Sequence, residues 1–192
     1  MKLHTLGRTG ISVSLICLGT MTFGHQNAEA EGHQQMDMAA EHGVNFFDSA
    51  EMYPFPANPK TYGRTDEIVG TWLAARGQRD KIVVATKIAG PGARFEHIRG
   101  GSLKFDRTHL IQAVDDSLAR LRTDYIDLYQ THWPERPANY FGKLGYNHDA
   151  NAEWTPFEEM LDVMAEIEKA GKVRAFGISN ETPWGLMELM KL

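Results

Sequence analysis

The sequence alternates short apolar runs with longer runs of helical periodicity, and it does so five times in succession. The clearest apolar run, residues 81–87, is rich in β-branched residues and apolar on both faces, which is typical of a strand in a covered parallel sheet. The runs that follow carry apolar residues at the spacing of an amphipathic helix. This alternation restricts the fold to the α/β class, as either an open doubly wound sheet or a (β/α) barrel.

Turn signals and apolar runs place the predicted elements along the chain. A small hairpin is expected first, with residues 2–6 and 11–14 paired around the turn Gly7-Arg8-Thr9-Gly10. The predicted strands that follow are residues 15–18, 45–48, 81–87, 125–129 and 173–178. The predicted helices are residues 28–42, 65–77, 106–121, 155–170 and a last one that begins at Thr182-Pro183. Asp106 is the expected N-cap of the third helix, and Thr155 and Glu158 are expected to form a capping box for the fourth.

The loop after the first of these strands separates the two candidate folds. An open dinucleotide-binding sheet predicts the fingerprint G-x-G-x-x-G at this place. The segment found there, Gly19-Thr20-Met21-Thr22-Phe23-Gly24, lacks that spacing. The sequence therefore favours a (β/α)8 TIM barrel with only about five βα units present after the N-terminal β-hairpin. We interpret residues 1–192 as a single, partial barrel domain.

Composition excludes several classes of protein. The net charge of -5 and the pI of 5.9 argue against nucleic acid or an anionic membrane as the main partner. The single cysteine, Cys17, excludes an internal disulfide framework and indicates a reducing compartment; it is expected to be a small buried side chain. The N-terminus has no secretory apolar core and no run reaches transmembrane length, so a cytoplasmic protein is expected.

Polar residues end four of the predicted strands. In a (β/α) barrel these positions lie together on the C-terminal rim, where such enzymes have their active sites. The residues are Asp48, Lys87, His132, and the pair Ser179 and Asn180. Tyr53 follows the second strand by five residues, in a loop stiffened by Pro54 and Pro56. The sequence therefore predicts a cluster of chemically useful side chains on one rim.

Four of these side chains suit the protonation of a developing alkoxide. Tyr53 is the expected proton donor, and a nearby Lys87 ammonium is expected to lower the pKa of its phenol. Asp48 would keep Lys87 charged and oriented, which also offsets the cost of burying the carboxylate. His132 would donate a hydrogen bond to the polarised oxygen. This is the chemistry of a carbonyl reductase that receives hydride from a nicotinamide, with Ser179 and Asn180 placed to bind its carboxamide.

The same residues resemble those of the aldo-keto reductases over the whole length of the sequence, including bacterial members with a long loop after the fourth strand. The matching segments are Gly19-Thr20-Met21-Thr22-Phe23-Gly24, Phe47-Asp48-Ser49-Ala50-Glu51-Met52-Tyr53, Ala85-Thr86-Lys87, Tyr125-Ile126-Asp127-Leu128-Tyr129-Gln130-Thr131-His132 and Gly177-Ile178-Ser179-Asn180. The resemblance implies reduction of aldehydes or ketones to alcohols, with a catalytic tetrad of Asp48, Tyr53, Lys87 and His132. It also implies that Thr20, Met21, Ser179 and Asn180 contact the cofactor, usually NADPH, with NADH as the alternative.

The family barrel has eight units, so the resemblance also implies that three are missing here. The expected consequences are open barrel edges, self-association through them, and an inactive chain when residues 1–192 act alone. A truncated, inactive remnant is therefore one alternative reading. The expected partner is otherwise a small carbonyl substrate, with no metal, since the histidines lack metal-binding spacings.

The candidate residues leave two further functions open. The first is a binding subunit similar to the potassium-channel β subunits, which share the barrel but carry Asn where this sequence has His132. The second is a Schiff-base aldolase that uses Lys87, which requires a neutral amine. The loop of residues 133–154 is rich in aromatic residues, so it either forms a substrate wall or packs on its own aromatics.

Overall fold

The computed structural model describes residues 1–192, apart from the side chain of Ala93. A two-stranded antiparallel hairpin comes first, and a five-stranded parallel sheet follows it in the order β3-β4-β5-β6-β7. The strands are β1 (Leu3–Thr5), β2 (Ser12–Ser14), β3 (Cys17–Gly19), β4 (Phe46–Asp48), β5 (Val83–Ile88), β6 (Leu128–Thr131) and β7 (Phe176–Ile178). Neighbours in the parallel sheet are consecutive in sequence, which is the topology of a partial (β/α)8 barrel.

A helix follows each parallel strand. The helices are α1 (Glu29–Glu41), α2 (Arg64–Arg76), α3 (Arg107–Leu121), α4 (Phe157–Lys169) and α5 (Pro183–Leu189). Asp106 caps α3 as predicted, with its carboxylate accepting from the His109 amide at 3.0 Å, and Thr182 caps α5 through the Gly185 amide at 3.1 Å. No helix in the described part of the chain is long and apolar enough to cross a membrane.

The described residues form three apolar clusters, one between the sheet and the helices and one at each end of the barrel. The largest lies between the outer face of the sheet and the helices, and it includes Phe47, Trp72 and Val84. A second cluster closes the N-terminal mouth, where Ile11 of the hairpin and Val13 pack against the inner face of the strands. A third lies under the opposite rim and is described with the site below. The hairpin is therefore the floor of the barrel, which leaves the C-terminal rim as its open end.

The first parallel strand differs from the prediction. Residues 15–18 were expected to be a buried strand, but the strand is Cys17–Gly19 and both Leu15 and Ile16 are exposed. Cys17 is also exposed, so its expected burial is wrong. The reason is that β3 has a neighbour on one side only and lies at the edge of the sheet. An apolar run alone does not distinguish an edge strand from a central one.

Other predicted boundaries also moved, and the fifth parallel strand, expected from residue 173, begins at Phe176. The fourth parallel strand begins at Leu128, three residues later than predicted, because the Asp127 carboxylate accepts the Val84 amide at 2.9 Å in place of a backbone carbonyl. The predicted capping box at Thr155 is wrong. Pro156 is the N-cap of α4 and makes no side-chain cap, while the buried Thr155 donates its amide to Glu135 at 3.0 Å.

Candidate active site

The carboxyl ends of β4 and β5 bring Asp48 and Lys87 together. Lys87 Nζ lies 2.6 Å from Asp48 Oδ2 and donates a second hydrogen bond, of 2.7 Å, to the Ser49 carbonyl. Gln130, on the inner face of β6, donates to the other carboxylate oxygen of Asp48 at 3.2 Å. The Lys87 side chain is 7% exposed and that of Asp48 is 30% exposed. The ammonium is therefore fixed by two acceptors at the base of the rim.

Tyr53 and His132 lie above this ion pair. Their rings meet edge to face, with centroids 5.4 Å apart and an angle of 84° between the planes. Lys87 Nζ is 5.3 Å from the centroid of the Tyr53 ring. The His132 ring also contacts Trp133, at a centroid distance of 4.9 Å. The four side chains predicted to form a tetrad thus lie in one cluster, although they come from three strand ends and a loop.

The pKa of Tyr53 shifts in the direction opposite to the one predicted from the sequence. Lys87 was expected to lower the pKa of the phenol, but burial and the negative charge of Asp48 raise the pKa of Tyr53 to about 12. The expectation failed because Asp48 and Ser49 engage the Lys87 ammonium, and the phenol lies in an apolar surrounding. A phenol with a raised pKa keeps its proton at neutral pH. That state is the one a proton donor needs.

Burial acts on His132 in the opposite direction. Desolvation, assisted by the positive charge of Lys87, lowers the pKa of His132 from 6.5 to about 3. Its imidazole is therefore neutral at physiological pH, and its Nδ1 atom is buried without a hydrogen-bond partner among the described residues. A neutral ring can donate one hydrogen bond to an oxygen in the cavity and carries no second ring proton.

A buried carboxylate that the sequence did not single out supports the cluster from below. Asp66, in the first turn of α2, accepts the Ser49 hydroxyl at 2.6 Å and the Thr86 hydroxyl at 3.1 Å. Its other oxygen accepts from Arg120 Nε at 3.2 Å. Ser49 therefore connects Asp66 to Lys87, because its hydroxyl is bound by the first and its carbonyl by the second. A sequence gives no signal for this arrangement, since the three partners are far apart along the chain.

A fully buried ion pair joins the Tyr53 loop to the loop after β5. Glu51 and Arg99 form this pair, and both side chains have no exposed surface. Glu51 also accepts the Ala89 amide at 2.5 Å, and Arg99 donates to the Ala89 carbonyl at 3.1 Å. Burial raises the pKa of Glu51, and Arg99 opposes that shift. We call this unit, Glu51, Ala89 and Arg99, the loop clamp.

The residues expected to contact a cofactor fall into two groups. Thr20 is fully buried and its hydroxyl donates to the Asp48 carbonyl at 2.8 Å, so its proton is already used within the protein. Met21 is exposed beside the cluster. Asn180 donates to the His132 carbonyl at 2.8 Å and to the Ser179 hydroxyl oxygen at 3.0 Å. Ser179 therefore keeps its hydroxyl proton, and Asn180 keeps its amide oxygen, for a ligand.

A cavity of about 520 Å³ opens above Tyr53 and His132. Apolar side chains form most of its wall, and the lining residues are Met21, Met52, Tyr53, Phe55, Pro56, Ala57, Arg94, Phe95, His132 and Phe141. Phe141 belongs to the long loop of residues 133–154. In the same loop, Trp133 packs on Tyr140 with centroids 6.0 Å apart. One aromatic residue of that loop therefore lines the cavity, while others pack on each other.

The fold and the rim cluster together define a partial (β/α)8 barrel with an Asp, a Lys, a Tyr and a His at its C-terminal end. Residues 15–192 match the sequence model of the Aldo/keto reductase family. The chain belongs to that family.

Relatives and solved structures agree with this assignment. Protein tas of Escherichia coli is 46% identical over all of this chain and 56% of its own length. The uncharacterized oxidoreductase YrpG of Bacillus subtilis is 37% identical over 98% of this chain and 52% of its own length. The holo form of the aldo-keto reductase AKR11C1 from Bacillus halodurans superposes with a TM-score of 0.74 at 29% identity, over all of this chain and 54% of that one. The chain thus spans about half the length of the relatives that it matches.

The lowered pKa of His132 predicts a specific dependence of stability on pH. Its folded pKa lies below its unfolded value of 6.5, so the unfolded state binds more protons and stability falls as the pH falls from about 6.5 towards about 3. In residues 1–192 we expect His132→Gln to reduce this slope by up to about 1.4 kcal/mol per pH unit. Urea unfolding at a fixed protein concentration, at several pH values between these limits, measures the slope.

The control for this experiment is His25→Gln, which removes an exposed imidazole elsewhere on the surface. If the His132 variant and the parent have parallel stability curves over this pH range, His132 is not held neutral by burial.

Proposed function

We propose that this chain carries the catalytic rim of a nicotinamide-dependent oxidoreductase that reduces aldehydes or ketones to alcohols. The observation that carries the proposal is the position of Tyr53 and His132 directly above the Asp48–Lys87 ion pair, at the floor of an apolar cavity. Membership of the aldo/keto reductase family supports it.

The protein residues have separate tasks in this reaction. Tyr53 gives its proton to the carbonyl oxygen as the carbonyl group is reduced to an alcohol. The raised pKa of Tyr53 keeps that proton on the phenol until an alkoxide develops. His132, held neutral, donates a hydrogen bond to the same oxygen and so orients the carbonyl. Lys87, held by Asp48 and Ser49, supplies a positive charge near the developing negative charge.

The residues at the ends of β3 and β7 fit a nicotinamide in part. The carboxamide of that ring needs one donor and one acceptor, and the Ser179 hydroxyl proton and the Asn180 amide oxygen remain available for it. Met21 is an exposed apolar side chain that lines the cavity above Tyr53 and His132. Thr20 does not fit the role of a donor, and we assign it instead to positioning Asp48 through the carbonyl that it binds. When bound, the reduced nicotinamide supplies the hydride that adds to the carbonyl carbon and is itself oxidised.

The Asp48–Lys87 pair also bears on the aldolase alternative. A Schiff-base lysine needs to be a neutral nucleophile. Lys87 instead donates to a carboxylate and a carbonyl, at 2.6 and 2.7 Å, so its nitrogen is held by two acceptors within the protein. The reductase reading is therefore the better supported of the two.

The proposal is tested by comparing residues 1–192 with a completed fusion, in which residues 1–192 are joined to the part of Protein tas that they do not match. The sheet has two open edges, β3 and β7, each with a single neighbour. An open edge favours pairing with another chain, and a loosely bound cofactor is poorly positioned for hydride transfer. We expect the completed fusion to oxidise NADPH in the presence of simple aldehydes, and residues 1–192 alone to self-associate without turnover.

Light scattering measures the oligomeric state, and the loss of NADPH absorbance measures turnover. Steady turnover by a monomer of residues 1–192 would overturn the prediction about the isolated chain. A soluble, cooperatively folding fusion that does not turn over any aldehyde would count against the proposed function itself.

A further inference from the structure

The cavity above the tetrad has the size and the lining of a small-molecule site. Its volume of about 520 Å³ lies within the range that such sites occupy. Tyr53 and His132 form part of its floor, so a carbonyl group that reaches them places the rest of its molecule against the surrounding wall. The chemistry of that wall therefore determines which carbonyl compounds bind.

Most of the wall is aromatic or otherwise apolar, and it is built as a packed unit. Phe95 lies against Trp133 with ring centroids 4.9 Å apart, and Phe141 meets the same Trp133 edge to face at 5.5 Å. Because Trp133 is fully buried, it supports both of the rings that line the cavity. A wall of this kind favours a flat aromatic body, or an apolar one of similar shape, over a flexible polar chain.

Arg94 is the exception in this wall. It is the one lining residue that carries a formal charge at neutral pH, because burial keeps His132 neutral. Its side chain is exposed, and no ion pair of Arg94 occurs within the described part of the chain. Two other cations at this end of the barrel differ from Arg94, since Lys87 is paired with Asp48 and Arg99 with Glu51. Arg94 thus offers an uncompensated positive charge at the mouth of an apolar cavity.

We propose that the cavity takes an aldehyde or ketone with an aromatic or similarly apolar body and a carboxylate group, and that Arg94 binds the carboxylate. This inference rests on the proposed function, because it assumes that the carbonyl lies at Tyr53. The guanidinium is planar and can bind both oxygens of a carboxylate at once, which gives orientation as well as attraction. Two fixed ends, the carbonyl at Tyr53 and the acid at Arg94, set the register of the substrate in the cavity.

Binding of product alcohols to residues 1–192 tests the inference without turnover. The two probes are 4-(hydroxymethyl)benzoate and 4-(hydroxymethyl)benzamide, which have the same shape and differ in charge. We expect the parent to bind the benzoate more tightly, and Arg94→Gln to weaken benzoate binding by about tenfold while leaving the benzamide unchanged. The exposure of Arg94 keeps the expected loss to this size, and added salt should reduce the benzoate preference. Isothermal titration calorimetry measures both affinities.

Three variants make the result specific. Arg94→Lys keeps the charge and is expected to retain part of the preference. Lys104→Gln removes an exposed cation that is in the same loop but does not line the cavity, and should change neither affinity. Phe141→Ala shortens the shared aromatic wall and should weaken both ligands alike. Equal affinities in the parent, no saturable binding of either ligand, or the same loss in Lys104→Gln as in Arg94→Gln would each overturn the inference.

The two proposals fail separately. If the completed fusion reduces neutral aldehydes but shows no preference for 4-carboxybenzaldehyde over 4-formylbenzamide, the carboxylate site is refuted and the reductase is not. If the benzoate preference depends on Arg94 while no aldehyde is reduced, the reductase is refuted and Arg94 remains an anion site in an apolar cavity.

Discussion

Replacing Tyr53 by Phe in the completed fusion is expected to lower kcat for carbonyl reduction by about a hundredfold or more, the usual scale of general acid catalysis. The phenol has a raised pKa and is therefore protonated over the whole physiological range, so removing it removes the proton source and not a charge. The affinity for NADPH should change little, because the ring faces the apolar cavity. Steady-state kinetics with a neutral aldehyde, and a separate titration of NADPH, measure the two quantities.

Tyr62→Phe is the matched control, since it removes the hydroxyl of another partly buried tyrosine that does not line the cavity. The raised pKa also predicts that the rate of reduction has no alkaline limb from Tyr53 until the pH approaches about 12. Near-normal turnover by the Tyr53 variant would remove this residue from the mechanism.

Replacing Arg99 by Met is expected to destabilise residues 1–192 by about 3–5 kcal/mol at neutral pH, because it leaves the Glu51 carboxylate buried without its cation. Loss of the guanidinium removes the contribution that holds the pKa of Glu51 down, so the pKa of Glu51 rises further. The deficit should therefore shrink as the pH falls and the carboxyl is protonated. Urea unfolding at neutral and at mildly acidic pH, at one protein concentration, measures both effects.

Two controls distinguish the effect of leaving a buried charge unpaired from the effect of losing an arginine side chain. Arg107→Met breaks an ion pair with Glu166 in which both side chains are more than half exposed, and it should cost about 1 kcal/mol or less. The double variant with Glu51→Gln and Arg99→Met removes both charges, and it should recover part of the loss. Equal effects of the Arg99 and Arg107 variants would show that the loop clamp is not a buried charge pair.

The fold class could be predicted from the sequence, because the α/β class follows from an alternation of strands and helices that repeats along the chain. The register of β4 with β5, which places Asp48 beside Ala85 and thus near Lys87, follows from the parallel order of the strands. The strand at residues 15–18 was less predictable, since burial at the edge of a sheet depends on neighbours that an apolar run does not reveal.

The pKa shifts within the site were harder to predict from the sequence than the identity of its residues. The residues Asp48, Tyr53, Lys87 and His132 could be chosen because strand ends converge in a barrel. The direction of the Tyr53 shift could not, because it depends on which groups engage the Lys87 ammonium and on how deeply the phenol is buried. The partner of Glu51 was also hidden, since Arg99 lies 48 residues away in a glycine-rich loop with no periodic pattern.

Substitutions in the loop after β5 have different consequences inside and outside the loop clamp. Arg99 anchors the C-terminal part of that loop in the core through Glu51, which is two residues from Tyr53. Arg94 and Phe95 lie outside the anchor and face the cavity. Arg94 and Phe95 can therefore change during selection for a new substrate while Tyr53 keeps its position. Substitutions of Arg99 instead lower the stability of the fold. For protein engineering, this makes the outer part of the loop the natural place for a mutant library, with Arg99 kept constant.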